Sequence, residues 1–401
     1  MKRSLLLLVI TLALGTSPCW AQSATSTAAS PTATSQTPPA QAQRPQPPPP
    51  IVSPEVHPDG SVTFRFRDPN AKEVGLNLEG TAQPQPMEKD DQGVWSVTTP
   101  PLAPDYYGYT FVADGVSLVD PSNTLMKTNL LFLSNMVHVP GPPPADWETT
   151  DVPHGVVRHY FYHSAVVGDD RDYFVYTPPG YDPKARTAYP VLYLQHGYSD
   201  GADGWTQVGR ANFILDNLIA QGKAKPMLMV MSLGYGAPEV LHRGIGAFRD
   251  TSLIQRNMDK FGEALITEVI PQVEKNFRVK AGREDRALAG LSMGGAESLY
   301  VGLNHLDEFA WIGSFSGGGL GDNYATEFPH LDSSVNSQLR LLWIACGTDD
   351  RLIEPNRKFR EWLTSKDVHH TDIETPGMHT WMVWRRNLIA FAPLLFQKQT
   401  Q

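Results

Sequence analysis

Two hydrophobic patterns follow one another along the chain. Between residues 51 and 142 apolar positions alternate singly with polar ones, and short turn-forming pairs such as Asp59-Gly60 separate the runs. The alternating apolar positions are Val62, Phe64, Phe66, Val74, Leu76, Leu78, Tyr107, Tyr109 and Phe111. A period of two is typical of strands with one buried face. Residues 51–142 are therefore predicted to form a small all-β sandwich.

From residue 143 onward, short and almost wholly apolar runs alternate with helical segments. The runs span residues 191–197, 227–234, 286–292, 311–318 and 339–347. Such runs are typical of parallel strands buried on both faces. Phe261, Leu265 and Val269 make a helical stripe that would cover a sheet. We therefore expect residues 143–401 to form a doubly wound α/β fold.

The N-terminal segment has the features of an export signal and a spacer. Lys2 and Arg3 precede an apolar run over residues 5–14, which is too short to span a membrane and suits a signal peptide cleaved after Ala21. Residues 22–50 are Ala, Pro, Gln, Ser or Thr except Arg44, which predicts a disordered linker. No other run is long enough for a membrane span. The protein is therefore expected to be periplasmic or secreted.

Composition and charge narrow the possible functions. The 401 residues include 33 basic and 42 acidic side chains, so a net charge of −9 excludes a strongly basic nucleic-acid-binding protein. Two cysteines cannot build a disulfide framework. The spacing of histidines and carboxylates fits no metal site, and no phosphate-binding loop is present. We predict no metal and no cofactor, and the sequence leaves the oligomeric state open.

Gly290-Leu291-Ser292-Met293-Gly294 follows an apolar run directly and precedes a helical segment. A GxSxG sequence in that setting forms a sharp turn that exposes the serine hydroxyl at the edge of the sheet. Serine needs a neighbouring base, and the base needs an acid to orient it. This turn indicates that residues 143–401 form an α/β-hydrolase fold, in which the chain order is serine, acid, histidine. We therefore predict Ser292 as nucleophile, Asp350 as acid and His379 as base, with Asp349 as the alternative acid.

The negative charge that develops on an ester oxygen needs two backbone N–H donors. One follows the nucleophile, at Met293, and the other comes from the loop after an earlier strand, which places it at Tyr198. His196, in the same loop, is predicted to support the turn rather than to carry a proton.

Five segments together resemble carbohydrate esterase family 1, the feruloyl and acetylxylan esterases within the esterase D group. They are VLYLQHGYSDGADGW, GRANFILDNLIAQGKAKP, RALAGLSMGGAESL, CGTDDRLI and GMHTWMVWRRNLIAFAPLLF. In this resemblance Ser292, Asp350 and His379 match the triad, and Met293 and Tyr198 match the oxyanion donors. It implies hydrolysis of feruloyl or acetyl esters on xylan-type polysaccharide through an acyl-enzyme. Gln195 departs from the pattern, since an aliphatic residue usually precedes the His-Gly pair.

Aromatic residues suggest where a substrate would bind. Trp205, Tyr235 and Trp381, together with Tyr198, are predicted to stack on a phenolic acid, which favours feruloyl over acetyl esters. A place in the core is the alternative for Trp205 and Trp381.

The β-sandwich resembles early-set immunoglobulin-like domains related to family 48 carbohydrate-binding modules, so its aromatic residues could bind sugar or form its core. Those residues are Trp95, Tyr106 and Tyr107.

Three other functions stay open at this stage. Enterochelin-type siderophore esterases belong to the same group, but their anionic substrate calls for clustered basic residues, whereas Arg210, Arg243 and Arg351 are scattered. Mycolyl-transferring relatives raise the possibility of acyl transfer. A secreted glycan-binding protein with an inert hydrolase domain is the non-enzymatic alternative, and the intact set of three triad residues argues against it.

Overall fold

The computed structural model describes residues 49–321 and 323–397. The predicted signal peptide, residues 1–21, and nearly all of the predicted linker, residues 22–50, lie outside this part of the chain. Within it, no helix is long and apolar enough to cross a membrane. The described residues form two antiparallel sheets followed by a larger mixed sheet with helices on both faces.

Ten strands build the N-terminal β-sandwich. Their bounds are β1 (Glu55–Val56), β2 (Val62–Arg67), β3 (Val74–Leu78), β4 (Gln85–Pro86), β5 (Glu88–Lys89), β6 (Val94–Thr98), β7 (Asp105–Ala113), β8 (Val116–Leu118), β9 (Met126–Lys127) and β10 (Ser134–Val139). One sheet has the order β1-β2-β6-β5 and the other β4-β3-β7-β10-β9, with β8 beside β7. Phe64, Leu76 and Phe111 are completely buried between them, as the alternating pattern predicts.

The three aromatic residues considered for sugar binding are all buried. Trp95 donates its indole N–H to the carbonyl of Asp68 at 2.8 Å, and Tyr107 donates its hydroxyl to the carbonyl of Ala103 at 2.7 Å. Tyr106 is stacked on the ring of His138, with 4.4 Å between centroids. Their positions fit the core alternative rather than an exposed stacking surface.

Eight strands form the hydrolase sheet. They are β11 (Val156–Ser164), β12 (Asp169–Thr177), β13 (Val191–Gln195), β14 (Leu228–Ser232), β15 (Arg286–Leu291), β16 (Trp311–Phe315), β17 (Leu341–Gly347) and β18 (Thr371–Thr375). The order is β11-β12-β14-β13-β15-β16-β17-β18, antiparallel through β14 and parallel from there on. All five predicted parallel strands are confirmed. Four of them end before the predicted limit because their last residues turn out of the sheet into loops.

Nine helices accompany this sheet within the described residues. They are α1 (Gly204–Gln207), α2 (Ala211–Ala220), α3 (Glu239–His242), α4 (Thr251–Ala264), α5 (Ile270–Asn276), α6 (Met293–Asn304), α7 (Tyr324–Glu327), α8 (Ile353–Ser365) and α9 (Trp381–Phe391). A π-helical turn joins α4 to α5, and the predicted stripe beginning at Phe261 packs on the sheet face that carries Val191 and Tyr193. Helices α2 and α9 cover the other face, which carries Leu192 and Leu194. The sheet is therefore covered on both sides.

A buried ion pair joins the β-sandwich to the hydrolase region. Arg385 of α9 and Asp105 of β7 are both completely buried, and Arg385 Nη2 lies 2.6 Å from Asp105 Oδ1. Arg386 binds the other carboxylate oxygen at 2.8 Å. Since α9 begins two residues after His379, the sandwich is packed against the helix that follows the predicted base. The predicted domain boundary, between residues 142 and 143, falls in the connection from β10 to β11.

Candidate active site

Ser292 sits at a sharp turn between β15 and α6. Its backbone has φ 52° and ψ −117°, a conformation that side chains rarely adopt, and its amide and carbonyl are pinned by Phe315 and Gly318 at 2.9 and 3.0 Å. A Cβ on Gly294 would lie 2.3 Å from the carbonyl oxygen of His196, and one on Gly290 would lie 2.4 Å from that of Gly294. Both glycines are therefore required by close backbone packing.

The structure brings three predicted residues into one hydrogen-bonded relay. His379 Nε2 lies 2.9 Å from Ser292 Oγ, and His379 Nδ1 lies 2.7 Å from Asp350 Oδ2. Asp350 and His379 occupy the loops after β17 and β18. Asp349, the alternative acid, is exposed and does not contact the imidazole, so the geometry selects Asp350. An imidazole held in this way can accept the proton of the serine hydroxyl.

The environment of Asp350 keeps its carboxyl ionised. Burial by itself raises the pKa of this group, but hydrogen bonds from His379 and from the amide of Leu352 outweigh that effect and hold the pKa below its ordinary value. A negative carboxylate next to Nδ1 fixes the orientation of the imidazole and stabilises its protonated form.

Both residues predicted to donate to an oxyanion lie near Ser292, Met293 as the next residue in the chain and Tyr198 in the lining of the same pocket. Met293 is the first residue of α6, and amides in the first turn of a helix have no intrahelical acceptor. Tyr198 lines the same pocket as Ser292, in the turn after β13. These are the two residues predicted to donate to an oxyanion, and such donors act most strongly when they are held before the charge develops.

His196 is buried behind that turn. Its Nδ1 donates to the carbonyl of Gly197 at 2.8 Å, and its Nε2 accepts from the amide of Gly234 at 2.9 Å. Burial lowers the pKa of His196 to about 4, because the protonated ring would lose its contact with water, and the positive charge of Arg171 acts in the same direction. His196 therefore bridges two loops as a neutral ring, in the supporting position that the sequence predicts.

A pocket of about 1200 Å³ opens over Ser292 and His379. On one side it is apolar, and Phe248 makes an edge-on contact with Tyr198, with 5.2 Å between ring centroids. Phe248 and Met258 both lie beside Gly319 on this side. Trp381 and Trp384 line the pocket near His379. The pocket therefore offers aromatic and aliphatic surface within reach of the relay.

Two residues predicted to stack on the substrate do not line this pocket. Trp205 is completely buried and donates its indole N–H to the carbonyl of Gln195 at 2.9 Å. Tyr235 is also buried, and its hydroxyl donates to the carbonyl of Asp200 at 3.1 Å. Both positions contradict the predicted stacking role, because these rings serve the core and the loops behind the pocket. Trp381 does line the pocket, although most of its ring is packed against Trp205 and Trp384.

The β-sandwich contributes part of the pocket wall, which the sequence did not predict. Glu79, Lys127, Asn129 and Phe132 all line it, and Lys127 Nζ lies 2.9 Å from Glu79 Oε2. Phe132 is 66% exposed, and its neighbours Leu130, Leu131 and Leu133 are exposed as well, which is unusual for a run of apolar side chains and indicates that this segment has a surface role. Among the described residues, no cluster of histidine, cysteine and carboxylate side chains could hold a metal ion.

Comparison with known proteins gives the family and several relatives. The Esterase family model matches residues 164–395. An endo-1,4-beta-xylanase/feruloyl esterase of Xylanibacter ruminicola is 31% identical over 351 residues, which cover 86% of this chain and 46% of the relative. An esterase of Mycobacterium tuberculosis is 26% identical over 266 residues, covering 55% of each chain. This chain thus spans about half the length of these curated relatives.

Solved structures agree with the fold. A ferulic acid esterase of carbohydrate esterase family 1 from Anaeromyces mucronatus, in complex with ferulic acid, has a TM-score of 0.53 at 26% identity and covers 62% of this chain and 93% of its own. An enterobactin esterase of Shigella flexneri has a TM-score of 0.59 at 19% identity, covers 83% and 92%, and supports the fold alone. With more than half of its length matched by the family model, the chain belongs to the Esterase family, and its resemblance to carbohydrate esterase family 1 is confirmed.

Proposed function

We propose that the protein is a serine esterase that hydrolyses feruloyl esters on xylan-type polysaccharide through an acyl-enzyme at Ser292. The observation that carries this proposal is the hydrogen-bonded relay from Asp350 through His379 to Ser292, at the base of a pocket large enough for an aromatic acid. Acetyl esters on the same polymers are the alternative substrates.

The relay supports two successive acyl transfers. His379 takes the proton of Ser292 as Oγ attacks the ester carbonyl carbon, and the carbonyl electron pair becomes an oxyanion bound by the amides of Met293 and Tyr198. When the carbonyl reforms, the ester bond to the alcohol breaks and the alcohol oxygen takes the proton from His379. Water then attacks the acyl group by the same route, which releases the acid and restores the serine.

The lining of the pocket favours an aromatic acyl group. Phe248 and Met258 form an apolar wall beside Tyr198, and flat aromatic rings gain contact area there at little cost in conformational entropy. An acetyl group would fill a small fraction of a pocket of about 1200 Å³. The named activities of the xylanase/feruloyl esterase relative and the ferulic acid complex support the same substrate class.

The expected leader and spacer support an extracellular polymer as the substrate. Residues 1–21 are proposed to direct export, with cleavage after Ala21, and residues 22–50 to act as a spacer.

The siderophore alternative is less well supported. The described residues that line the pocket include one lysine, Lys127, and one arginine, Arg351. Lys127 already forms an ion pair with Glu79. A tricatecholate anion calls for a denser positive cluster.

The test compares three substrates and two variants. The wild type should release ferulate from feruloylated arabinoxylan and from methyl ferulate with higher kcat/KM than it releases acetate from p-nitrophenyl acetate. Ser292→Ala should lower kcat on all three by at least about ten-thousandfold, because the nucleophile is lost. Ser337→Ala, on an exposed turn away from the pocket, should leave the rates unchanged.

Two results would count against the proposal in different ways. Rapid cleavage of the acetyl ester without release of ferulate would replace the feruloyl proposal with the acetyl one. If hydrolysis by the wild type and by Ser292→Ala were equal and no faster than in buffer alone, the serine esterase proposal would be removed and a glycan-binding protein with an inert hydrolase domain would be favoured.

A further inference from the structure

Asn129 connects the β-sandwich to the turn that carries Tyr198. It lies between β9 and β10 and lines the pocket. Its side-chain amide donates to Ser199 Oγ at 2.9 Å and to Asp200 Oδ1 at 3.0 Å. The amide of the next residue, Leu130, donates to the carbonyl of Ser199 at 2.7 Å. Three hydrogen bonds from the sandwich therefore converge on the two residues that follow Tyr198.

The same side chain also fixes its own segment. Asn129 Oδ1 accepts from the amide of Leu131 at 3.0 Å and from that of Phe132 at 2.8 Å. Both polar atoms of the side chain therefore form hydrogen bonds. The oxygen accepts from residues of the sandwich, and the nitrogen donates to residues of the hydrolase region. A side-chain amide that is bonded on both sides fixes the turn relative to the sandwich more strictly than an apolar contact would, because hydrogen bonds are directional.

The turn on which Asn129 acts needs external support. Ser199 has φ +70°, which is unfavourable for a residue other than glycine and persists only where the surroundings hold it. Ser199 and Asp200 are each 6% exposed, and burial raises the pKa of Asp200 to about 7. Without the Asn129 amide, Ser199 would lose a partner and the buried Asp200 carboxyl would lose a donor, which is costly away from water.

We propose that Asn129 is a positioning residue for ester hydrolysis, which holds the turn so that the amide of Tyr198 points at the oxyanion. This inference rests on the proposed function, in which Tyr198 is one of the two oxyanion donors. It gives the β-sandwich a second role at the pocket, because the sandwich then supports the turn that carries Tyr198 as well as forming part of the wall. The position of this donor matters in the transition state more than in substrate binding, so its loss lowers kcat rather than raising KM.

Asn129→Asp is the sharpest variant. The aspartate keeps an oxygen for the amides of Leu131 and Phe132, but it replaces the donor to Asp200 with a second carboxylate oxygen. On methyl ferulate we expect kcat to fall by about ten- to a hundredfold, somewhat less than for complete removal of an oxyanion donor, with KM changed by less than about threefold. Affinity for an aryl trifluoromethyl ketone, which forms an oxyanion on the serine, should fall by a similar factor, while affinity for the product ferulate should not.

Two further variants separate positioning from docking. Arg386→Gln weakens the contact of the sandwich with α9 at a partly exposed side chain without touching the turn, and it should keep wild-type kcat and ketone affinity. Combining Asn129→Asp with Asp200→Asn reverses the direction of the hydrogen bond, since the new amide at 200 can donate to the new carboxylate at 129. This double variant should recover most of the kcat that Asn129→Asp loses.

The inference would be overturned if Asn129→Asp had the same kcat and the same affinity for the trifluoromethyl ketone as the wild type. It would also be overturned if Asn129→Asp weakened ketone and ferulate binding equally and Arg386→Gln had the same effect, because the contact would then serve docking alone. Ser292→Ala is measured beside these variants. Undiminished turnover by Ser292→Ala would reject the proposed function itself, whereas its inactivity together with a normal Asn129→Asp would reject only the role of Asn129.

Discussion

The proposed nucleophile is held in a strained backbone conformation by bonds on both sides. Ser292 donates its amide to the carbonyl of Phe315 and accepts from the amide of Gly318 through its carbonyl, so the turn cannot relax without breaking contacts to the end of β16 and the loop that follows it. Strain of this kind is found where the surrounding structure determines the position of a functional side chain. The hydroxyl oxygen consequently lies 2.9 Å from Nε2 of the His379 imidazole.

The buried His196 predicts how the free energy of unfolding depends on pH. Its ordinary pKa of 6.5 is lowered to about 4 in the fold, so between these values the unfolded chain binds a proton that the folded protein does not. The free energy of unfolding should therefore fall as the pH drops from about 6.5 to about 4, by about 3 kcal/mol from this group. Urea unfolding of the wild type and of His196→Gln at several pH values isolates the contribution.

His196→Gln should flatten this part of the pH dependence, because glutamine carries no titrating group. Ser337→Ala serves as the control, since it changes an exposed side chain that carries no titratable group and should leave the slope as it is in the wild type. Parallel pH profiles for the wild type and His196→Gln would mean that His196 is not held neutral by its two backbone partners.

At the scale of elements, the turn between β15 and α6 depends on the close approach of that helix to β13. A Cβ at Gly294 would meet the carbonyl oxygen of His196 at 2.3 Å, and this oxygen belongs to the backbone and cannot swing away. Gly294→Ala should therefore push α6 from the sheet, at a cost of about 1–3 kcal/mol or more in unfolding free energy. It should also lower kcat by about a hundredfold, because Ser292 moves with the helix.

Gly246→Ala is the matched control for that experiment. A Cβ at Gly246 meets nothing within 4 Å, so the substitution should leave kcat and stability close to those of the wild type. Thermal unfolding and methyl ferulate kinetics on both variants make the comparison. A fully active, equally stable Gly294→Ala would show that the close approach of α6 to β13 is not needed.

Elements and their order could be predicted from the sequence, whereas the surroundings of the pocket could not. Apolar runs identify the strands, and GxSxG, Asp350 and His379 follow strand ends, which parallel strands bring to one edge of a sheet. Trp205, in the short helix α1 after β13, and Tyr235, in the loop after β14, also follow strand ends, but such a position does not tell whether an aromatic ring turns toward the pocket or the core. The structure turns both inward, where their polar atoms bind backbone carbonyls.

At the scale of the whole molecule, the β-sandwich and the hydrolase region share one compact unit and one pocket. The sequence predicts two domains because its hydrophobic periodicity changes near residue 143, yet periodicity within each part carries no information about contacts between them. Asn129 reaches Ser199 and Asp105 reaches Arg385 across long stretches of chain. Such pairings depend on tertiary packing and could not be predicted from either local pattern.

The buried ion pair between these parts gives a prediction at this scale. Asp105→Ala leaves the guanidinium of Arg385 completely buried without its carboxylate, which should lower the free energy of unfolding by about 3–5 kcal/mol. Glu239→Ala removes an exposed ion pair with Arg256 and should change it by less than about 1 kcal/mol. Urea unfolding at neutral pH measures both. If Asp105→Ala lowered the free energy of unfolding as little as Glu239→Ala does, the apolar contacts of the sandwich and not the ion pair would hold it in place.

Acyl trapping tests most directly whether Ser292 is the residue that attacks the ester. The protein is mixed with excess methyl ferulate, quenched in acid within one turnover, digested and examined by mass spectrometry. We expect one feruloyl group on the peptide that contains Ser292 in the wild type, and none in Ser292→Ala or, on the same timescale, in His379→Ala. A feruloyl group on a different residue, or rapid release of ferulate by Ser292→Ala, would contradict the assignment of Ser292 as nucleophile and His379 as its base.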